Sequence, residues 1–522
     1  MAAHRRVRFI EPGSRRGRPF NVFTRRWPLL GPILLATILD RHGYDVQVYN
    51  ENVSGPVEDD PEAYQDLCSS DVVGFSVMTP TAARAYELAD RIRADSGRPT
   101  LAFGGSHVTF QPDDALAHGD MVVRGEAENV ITDIASGNIR QGIVEPEPVQ
   151  DLDRLPAPNH YLMRDFDEVV GSALRKELYP LPVMTSRGCP HGCRYCSVTR
   201  MFGRRVRRQS VSRVHEDLQH YRDQGFGHVF FYDDNFTDDR RWTRKLLERM
   251  ENLDMRFNAQ ARADFHWLNR RRGERDRELV RAMKRSGGDI LYVGYETIDD
   301  STAEQWKKGY GKTGGLEARL AEDTRALHEM GFWVHGMFIL GPQHTESTAS
   351  RIVDFAQRHS LESLQISLLT PFPGTPLMEE MRPHLIFRDF PQDWDYFDGT
   401  HCVYNHGRIG LRKLQNVLLR AHEKFYSLSR WSLRRMRRML DPGSSIRDAF
   451  ARVWQQASLA RKTFKAWREE TSAFLDVAGS KLARNVHAKS ETDIENKLKR
   501  RRGIRADEHK AQDDTHDLRT YC

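Results

Sequence analysis

Three cysteines fall close together in the run RGCPHGCRYC: Cys189, Cys193 and Cys196, spaced Cys-x3-Cys-x2-Cys. The remaining cysteines, Cys68, Cys402 and Cys522, are scattered along the chain and read as ordinary core or surface thiols. A disulfide framework spreads its cysteines and pairs them. A tight, odd-numbered cluster points to metal instead. A zinc site takes four ligands, usually as two separated pairs; here His191 would have to serve as the fourth, and there is no second pair. A cube of four irons takes one outer ligand per iron. Three thiolates therefore leave one iron open to a cofactor or substrate. Gly188 and Gly192 are expected to let the loop wrap closely round such a cluster.

The elements that must position this loop follow a β/α alternation. Strand candidates are Pro182–Ser186, His228–Tyr232, Arg256–Gln260, Leu291–Tyr295, Trp333–Leu340 and Ser363–Leu369, with amphipathic helical stretches between them. Six units are too few for a closed eight-stranded barrel, so the pattern predicts a partial (β/α)6 barrel, open on one side. The cysteines then sit at the C-terminal end of its first strand, the face that carries active sites in such barrels. Upstream, Arg6–Ile10, DVQVYN, Val72–Met78, Thr100–Gly105 and Asp120–Glu126 alternate with helices and predict an open parallel sheet. The fold class is α/β. The expected divisions are a Rossmann-like domain over 1–145, a Pro- and Asp-rich linker over 146–175, the barrel over 176–400, a helical extension over 401–488 and a charged, disordered tail over 489–522.

Composition narrows the setting. Apolar residues at 39% and charged residues at 29% fit a water-soluble globular chain. The most apolar stretch, Trp27–Leu39, is too short to span a bilayer and contains Pro28, Gly31 and Pro32. The basic N-terminus lacks the apolar segment of a signal peptide, so a cytoplasmic location is expected. The net charge of +6 is not arranged along a nucleic-acid reading element, and no nucleic acid is expected. The helical run Leu411–Leu440 sets Phe425, Tyr426 and Trp431 beside Arg434, Arg435, Arg437 and Arg438. It reads either as a lipid-surface helix, giving peripheral membrane contact, or as a helix packed on the barrel with a solvated basic edge.

The cysteine spacing, closed by the aromatic–cysteine pair Tyr195–Cys196, resembles the radical S-adenosylmethionine (SAM) superfamily. That resemblance implies a 4Fe-4S cluster on Cys189, Cys193 and Cys196 whose open iron is chelated by SAM. One electron, from a donor such as flavodoxin or ferredoxin, would cleave SAM to a 5′-deoxyadenosyl radical. The resemblance also implies SAM contacts. Tyr195 lies beside the cluster. Asp233, Asp234 and Asn235 end the second strand, where the family meets the methionyl amino group; a carboxylate suits an ammonium, although Asn235, Thr237 or Asp238 would also serve as a helix cap. Arg262 ends the third strand and would meet the SAM carboxylate or form a salt bridge. Glu296 ends the fourth and would reach the ribose hydroxyls. The segment LLTPFPGTPL after the sixth strand recurs in similar proteins, and its prolines and Gly374 fix a turn.

The first domain resembles the cobalamin-binding domain of one large radical SAM subgroup. Ser76, Met78 and Thr79 follow a buried strand, Gly104 and Gly105 the next, and Gly125 and Glu126 the one after. All fall at carboxyl ends of strands, where open parallel sheets bind ligands. The Asp-x-His-x-x-Gly motif that supplies a cobalt ligand is missing; Asp40-Arg41-His42-Gly43 does not replace it. The subgroup implies cobalamin as a further cofactor and methylation of an unactivated carbon on a small-molecule or lipid-like substrate. Cyclisation or rearrangement without methyl transfer is the alternative chemistry, and a non-catalytic cobalamin or iron–sulfur module the alternative class. Methylthiotransferases share the layout but use three N-terminal cysteines, and only Cys68 lies there.

Overall fold

The computed structural model describes residues 5–14, 27–308, 315–405, 408–427 and 463–484. Its strands in chain order are β1 (Arg6–Glu11), β2 (Asp45–Asn50), β3 (Val72–Ser76), β4 (Thr100–Gly104), β5 (Met121–Val123), β6 (Gly142–Val144), β7 (Leu181–Val183), β8 (Ser186–Arg187), β9 (Arg207–Arg208), β10 (His228–Phe231), β11 (Arg256–Ala261), β12 (Trp267–Asn269), β13 (Glu274–Arg275), β14 (Gly288–Glu296), β15 (Trp333–Leu340) and β16 (Ser363–Leu368).

β1 to β6 form one parallel sheet in the order β2-β1-β3-β4-β5-β6. The strand order reverses direction at β1, which makes the β1/β3 junction the place where a ligand is expected. The continuous apolar run of β3 is explained by burial on both faces. Gly74 is required there: a Cβ would lie 2.7 Å from the Phe9 ring on β1. β6 is a short sixth strand that the alternation did not reveal.

β7, β10, β11, β14, β15 and β16 form the second sheet, six parallel strands in chain order whose two end strands do not pair, which is the open partial barrel. Period-two alternation sorts its aromatics. Phe231 faces outward and stacks on Phe236 at 4.5 Å. Phe230 faces the opposite way and meets Tyr292 at 5.0 Å. Trp27 of the N-terminal domain joins this inner group, 5.1 Å from Phe230, so the two domains pack together at the barrel's interior.

The open edge of β16 is covered by the helix Leu411–Tyr426. Ile366 N–H donates to His422 Nε2 at 3.1 Å, Leu364 N–H donates to the Tyr426 hydroxyl at 3.0 Å, and that hydroxyl donates to Leu364 O at 2.9 Å. Burial lowers the His422 pKa to about 4, so its ring is neutral and free to accept. Phe425 is buried. These two aromatics, Phe425 and Tyr426, thus face the barrel, which corrects the lipid-facing alternative for them; Trp431 and Arg434, Arg435, Arg437 and Arg438 lie outside the described residues, as does the tail 489–522. Among the described residues no helix is long and apolar enough to cross a membrane.

A second helix, 463–484, closes over the segment after the barrel. Phe474 stacks on Phe387 at 5.3 Å, and Lys481 pairs with Asp389 at 2.5 Å and Asp393 at 2.8 Å. His401 is fully buried, with Nδ1 2.9 Å from Asp398 and Nε2 2.7 Å from Glu470. Burial alone would lower its pKa, but the two carboxylates outweigh it and the net shift is upward. A raised histidine stabilises the fold fully below its unfolded value near 6.5, while its partners stay ionised, and the contribution is lost as pH rises through the folded value. Thermal midpoints of the wild type and His401→Gln, measured from pH 6 upward, are expected to converge as pH increases. A constant gap would mean that His401 is not held as an imidazolium.

Candidate active site

The cysteines sit in the loop 188–206, whose neck is the antiparallel hairpin of β8 and β9 just beyond β7. Gly188 has φ of +98°, and a Cβ there would lie 2.9 Å from Arg205 O and 3.0 Å from Gly203 O, so only glycine permits the turn into the loop. Gly192 is different from the expectation: its nearest neighbour would be the flexible Arg204 side chain at 3.5 Å, and its φ is not positive. The loop is tied internally by Cys189 N–H to Gly203 O at 3.4 Å and Cys196 N–H to Cys193 O at 3.3 Å. It is anchored outside by Leu377 N–H to Arg194 O at 3.3 Å and by an Arg194–Glu380 ion pair. LLTPFPGTPL therefore supports the cysteine loop. Tyr195 packs edge-on against Trp306, ring centroids 5.8 Å apart, beside Leu369 and Leu377.

All three thiols are partly buried. Burial raises the Cys189 pKa, and raises that of Cys196 to about 12; charge on Cys193 raises both further, and Cys189 and Cys196 feel Asp234 as well. The thiols are thus near enough to oppose one another's ionisation, and binding metal must expel their protons. Among the described residues no three His, Cys, Asp or Glu side chains converge as ligands of a single ion, which gives His191 no ready tetrahedral zinc site to complete. A four-iron cube needs no such convergence, since each thiolate meets a different corner. Three like donors on one loop fit that cluster.

The strand ends round this loop divide into engaged and available groups. Asp233 is 1% exposed and accepts from Thr185 N–H at 3.2 Å, the Thr185 hydroxyl at 2.9 Å and the Ser186 hydroxyl. It fastens β10 to the start of the cysteine hairpin. Asp234 accepts no hydrogen bond from a described residue, and burial, with Asp233 adding, raises its pKa to about 7. Asn235 accepts from the Thr237 hydroxyl at 3.2 Å. The helix Arg240–Met250 is capped by none of the three residues expected: Asp239 caps it, accepting from Arg241 and Trp242 N–H at 3.0 Å each. Arg262 is committed to Asp264 through two bonds at 3.0 and 3.1 Å and to Lys308 O at 3.0 Å, the salt-bridge alternative.

Glu296 ends β14 with φ of +62°, a left-handed conformation that costs a non-glycine residue about 1–3 kcal/mol and gathers at functional sites. Its carboxylate meets Lys308 Nζ at 2.8 Å. Gly294 makes room for the pair, since a Cβ there would stand 2.6 Å from Glu296 Oε1. Lys308 has no sequence signal; only the fold brings it to β14.

In the N-terminal domain, Ser76, Met78, Thr79, Gly104, Gly105 and Gly125 gather along the carboxyl ends of β3, β4 and β5. Gly105 has φ of +105° and a Cβ would lie 2.7 Å from Val77 O, whereas Gly104 and Gly125 face open space. Thr79 and His107 are buried together, 3.3 Å apart, and burial lowers the His107 pKa to about 3; its Nε2 finds no partner among the described residues. Glu126 departs from this group. Its buried carboxylate is taken up by Arg187, Arg207 and Val149 N–H. His42 closes the helix Leu30–Arg41 through Ile38 O, away from this edge. No histidine lies between β1 and that helix. A cavity of about 520 Å³ opens beside the edge, at the ends of β1 and β2 and under Gln392 and Asp395, lined by none of the seven candidates. Gly104 and Gly125 leave room for a bulky cofactor such as cobalamin to approach the backbone along this edge.

Comparison with known proteins places these features. The B12 binding domain model matches residues 21–135, and the Radical SAM superfamily model matches residues 183–356. The chain is 27% identical over 405 residues to a bacteriochlorophyllide d C-12(1)-methyltransferase of Chlorobaculum tepidum, covering 76% of this chain and 82% of that protein. Its fold resembles the radical S-adenosylmethionine methyltransferase TsrM from Kitasatospora setae, with a TM-score of 0.56, 19% identity and coverage of 72% and 78%. It also resembles the cobalamin-dependent S-adenosylmethionine radical enzyme OxsB, with a TM-score of 0.61, 14% identity and coverage of 93% and 81%.

Proposed function

Because the chain belongs to the radical SAM superfamily and carries a B12-binding domain, we propose that it is an enzyme that methylates an unactivated carbon of a small molecule. One observation carries the proposal: the cysteine loop and the ligand edge of the N-terminal domain are held face to face, with Glu126 after β5 bonded to Arg187, two residues before Cys189. When bound, the cluster with SAM supplies hydrogen abstraction from carbon, and cobalamin supplies methyl transfer.

The protein's own residues bind and orient. Cys189, Cys193 and Cys196 would hold the cluster. Asp234 would accept from the SAM ammonium, a charge-assisted bond that suits its uncommitted carboxyl group. Tyr195, Asn235 and the Glu296–Lys308 pair would line the same mouth, while Asp233 and Arg262 brace it. Ser76, Met78, Thr79, Gly104, Gly105 and Gly125 would receive cobalamin. Trp27, Phe230 and Tyr292 close the barrel interior against water. The resemblance to the bacteriochlorophyllide enzyme favours a hydrophobic substrate. A flavodoxin or ferredoxin would supply the electron.

The test is anaerobic reconstitution of the full chain with iron, sulfide and hydroxocobalamin, followed by reductant and SAM deuterated in its methyl group. The expected result is 5′-deoxyadenosine, together with deuterated methyl on the cobalamin fraction. 5′-Deoxyadenosine from protein that retains no cobalamin would leave a radical enzyme without methyl transfer. No 5′-deoxyadenosine at all would overturn the enzymatic reading.

A further inference from the structure

We infer that Glu126 and Glu128 of the N-terminal domain are positioning residues that close the neck of the cysteine loop. Arg187 and Arg207 stand directly opposite each other where β8 pairs with β9. Like charges facing across an antiparallel pair repel. Here both guanidinium groups are also buried, with side-chain exposures of 5% and 7%. Unaided, the neck of the loop would splay.

Glu126 resolves the conflict from the other domain. Arg187 Nη1 donates to Glu126 Oε2 at 2.7 Å, and Arg207 Nη1 to the same oxygen at 2.9 Å; Arg207 Nη2 donates to Oε1. Arg187 Nη2 donates to Glu128 Oε1 at 2.5 Å. Two carboxylates thus neutralise two guanidinium groups in a nearly dry site. The turn that delivers them requires Gly125, whose φ is +99°. Arg187 adjoins Gly188, so the path from the acidic turn to the first cysteine is two residues long. The β5 turn belongs to the same edge as the open glycines. Docking of that edge and closure of the cysteine loop are therefore one event, and the loop keeps its shape only while the N-terminal domain is seated.

The test uses the full chain, with hydrogen exchange read by mass spectrometry. In Glu126→Gln, exchange in 188–206 is expected to rise at least about tenfold, the consequence of leaving a buried guanidinium without its partner. Peptides containing β3 and β10 should keep their protection, which separates loop opening from global unfolding. Glu126→Asp should restore much of the loop's protection. Unchanged exchange of 188–206 in Glu126→Gln overturns the inference. If that variant does not fold, Glu128→Gln, which takes the other carboxylate from the two guanidinium groups, replaces it: a loop as protected as in the wild type overturns the inference, and a loosened loop on intact strands supports it. A second readout rests on the function proposed above: 5′-deoxyadenosine formation should fall with loop protection across the series. Exchange requires neither cofactor, so a wild type that forms no 5′-deoxyadenosine would count against the proposed function and leave the exchange result standing.

Discussion

Alanine at any one of Cys189, Cys193 or Cys196 is expected to abolish 5′-deoxyadenosine formation. The loss should exceed the roughly 10- to 100-fold typical of groups that only support a metal ligand, because a cube held by two thiolates has lost the arrangement that leaves a single iron bare. Iron and sulfide content, the spectrum of the reduced cluster and 5′-deoxyadenosine yield should fall together. Cys68→Ala and Cys402→Ala provide the contrast, since both thiols are buried in the hydrophobic core. Iron retention and 5′-deoxyadenosine formation by a Cys→Ala variant of the cluster loop would refute the assignment of that residue.

Asp234→Asn is expected to weaken SAM binding by roughly 10- to 100-fold. A hydrogen bond to a charged group is worth about 1.5–3 kcal/mol, and each step of about 1.4 kcal/mol is a factor of ten. The effect should appear in KM for SAM more than in kcat. Asp233→Asn should behave differently. Its carboxylate is already committed to Thr185 and Ser186, so that variant is expected to lower the thermal midpoint with a smaller effect on SAM affinity. Equal effects of the two substitutions on KM would remove the distinction between brace and ligand.

Much of the architecture was legible because burial leaves a pattern. Strands β2 and β15 are continuous apolar or alternating runs and occupy the residues their sequences predict. The cysteines were legible because three identical ligands at fixed short spacing suit a metal cluster and little else. The short strands β6 and β9 were not, since nothing in their two or three residues marks them off from the loops around them. Arg187 and Arg207 are ordinary arginines in sequence, and the acids that define them lie in another domain, about sixty to eighty positions away. Glu126 was legible as a residue of the β5 turn but not as a strut. Asp233 and Asp234 are adjacent and chemically identical; only the turn after β10 packs the first against Thr185 and Ser186 and leaves the second uncommitted. Lys308 could be found only from the position of Glu296.

The covering of β16 by His422 and Tyr426 limits how this chain can be shortened. Ending it at residue 410 would bare the peptide groups of Leu364 and Ile366, and an uncovered strand margin is a template for any other strand it encounters, including one from a second molecule. The helix Leu411–Tyr426 is thus the seal on this margin of an unclosed cylinder.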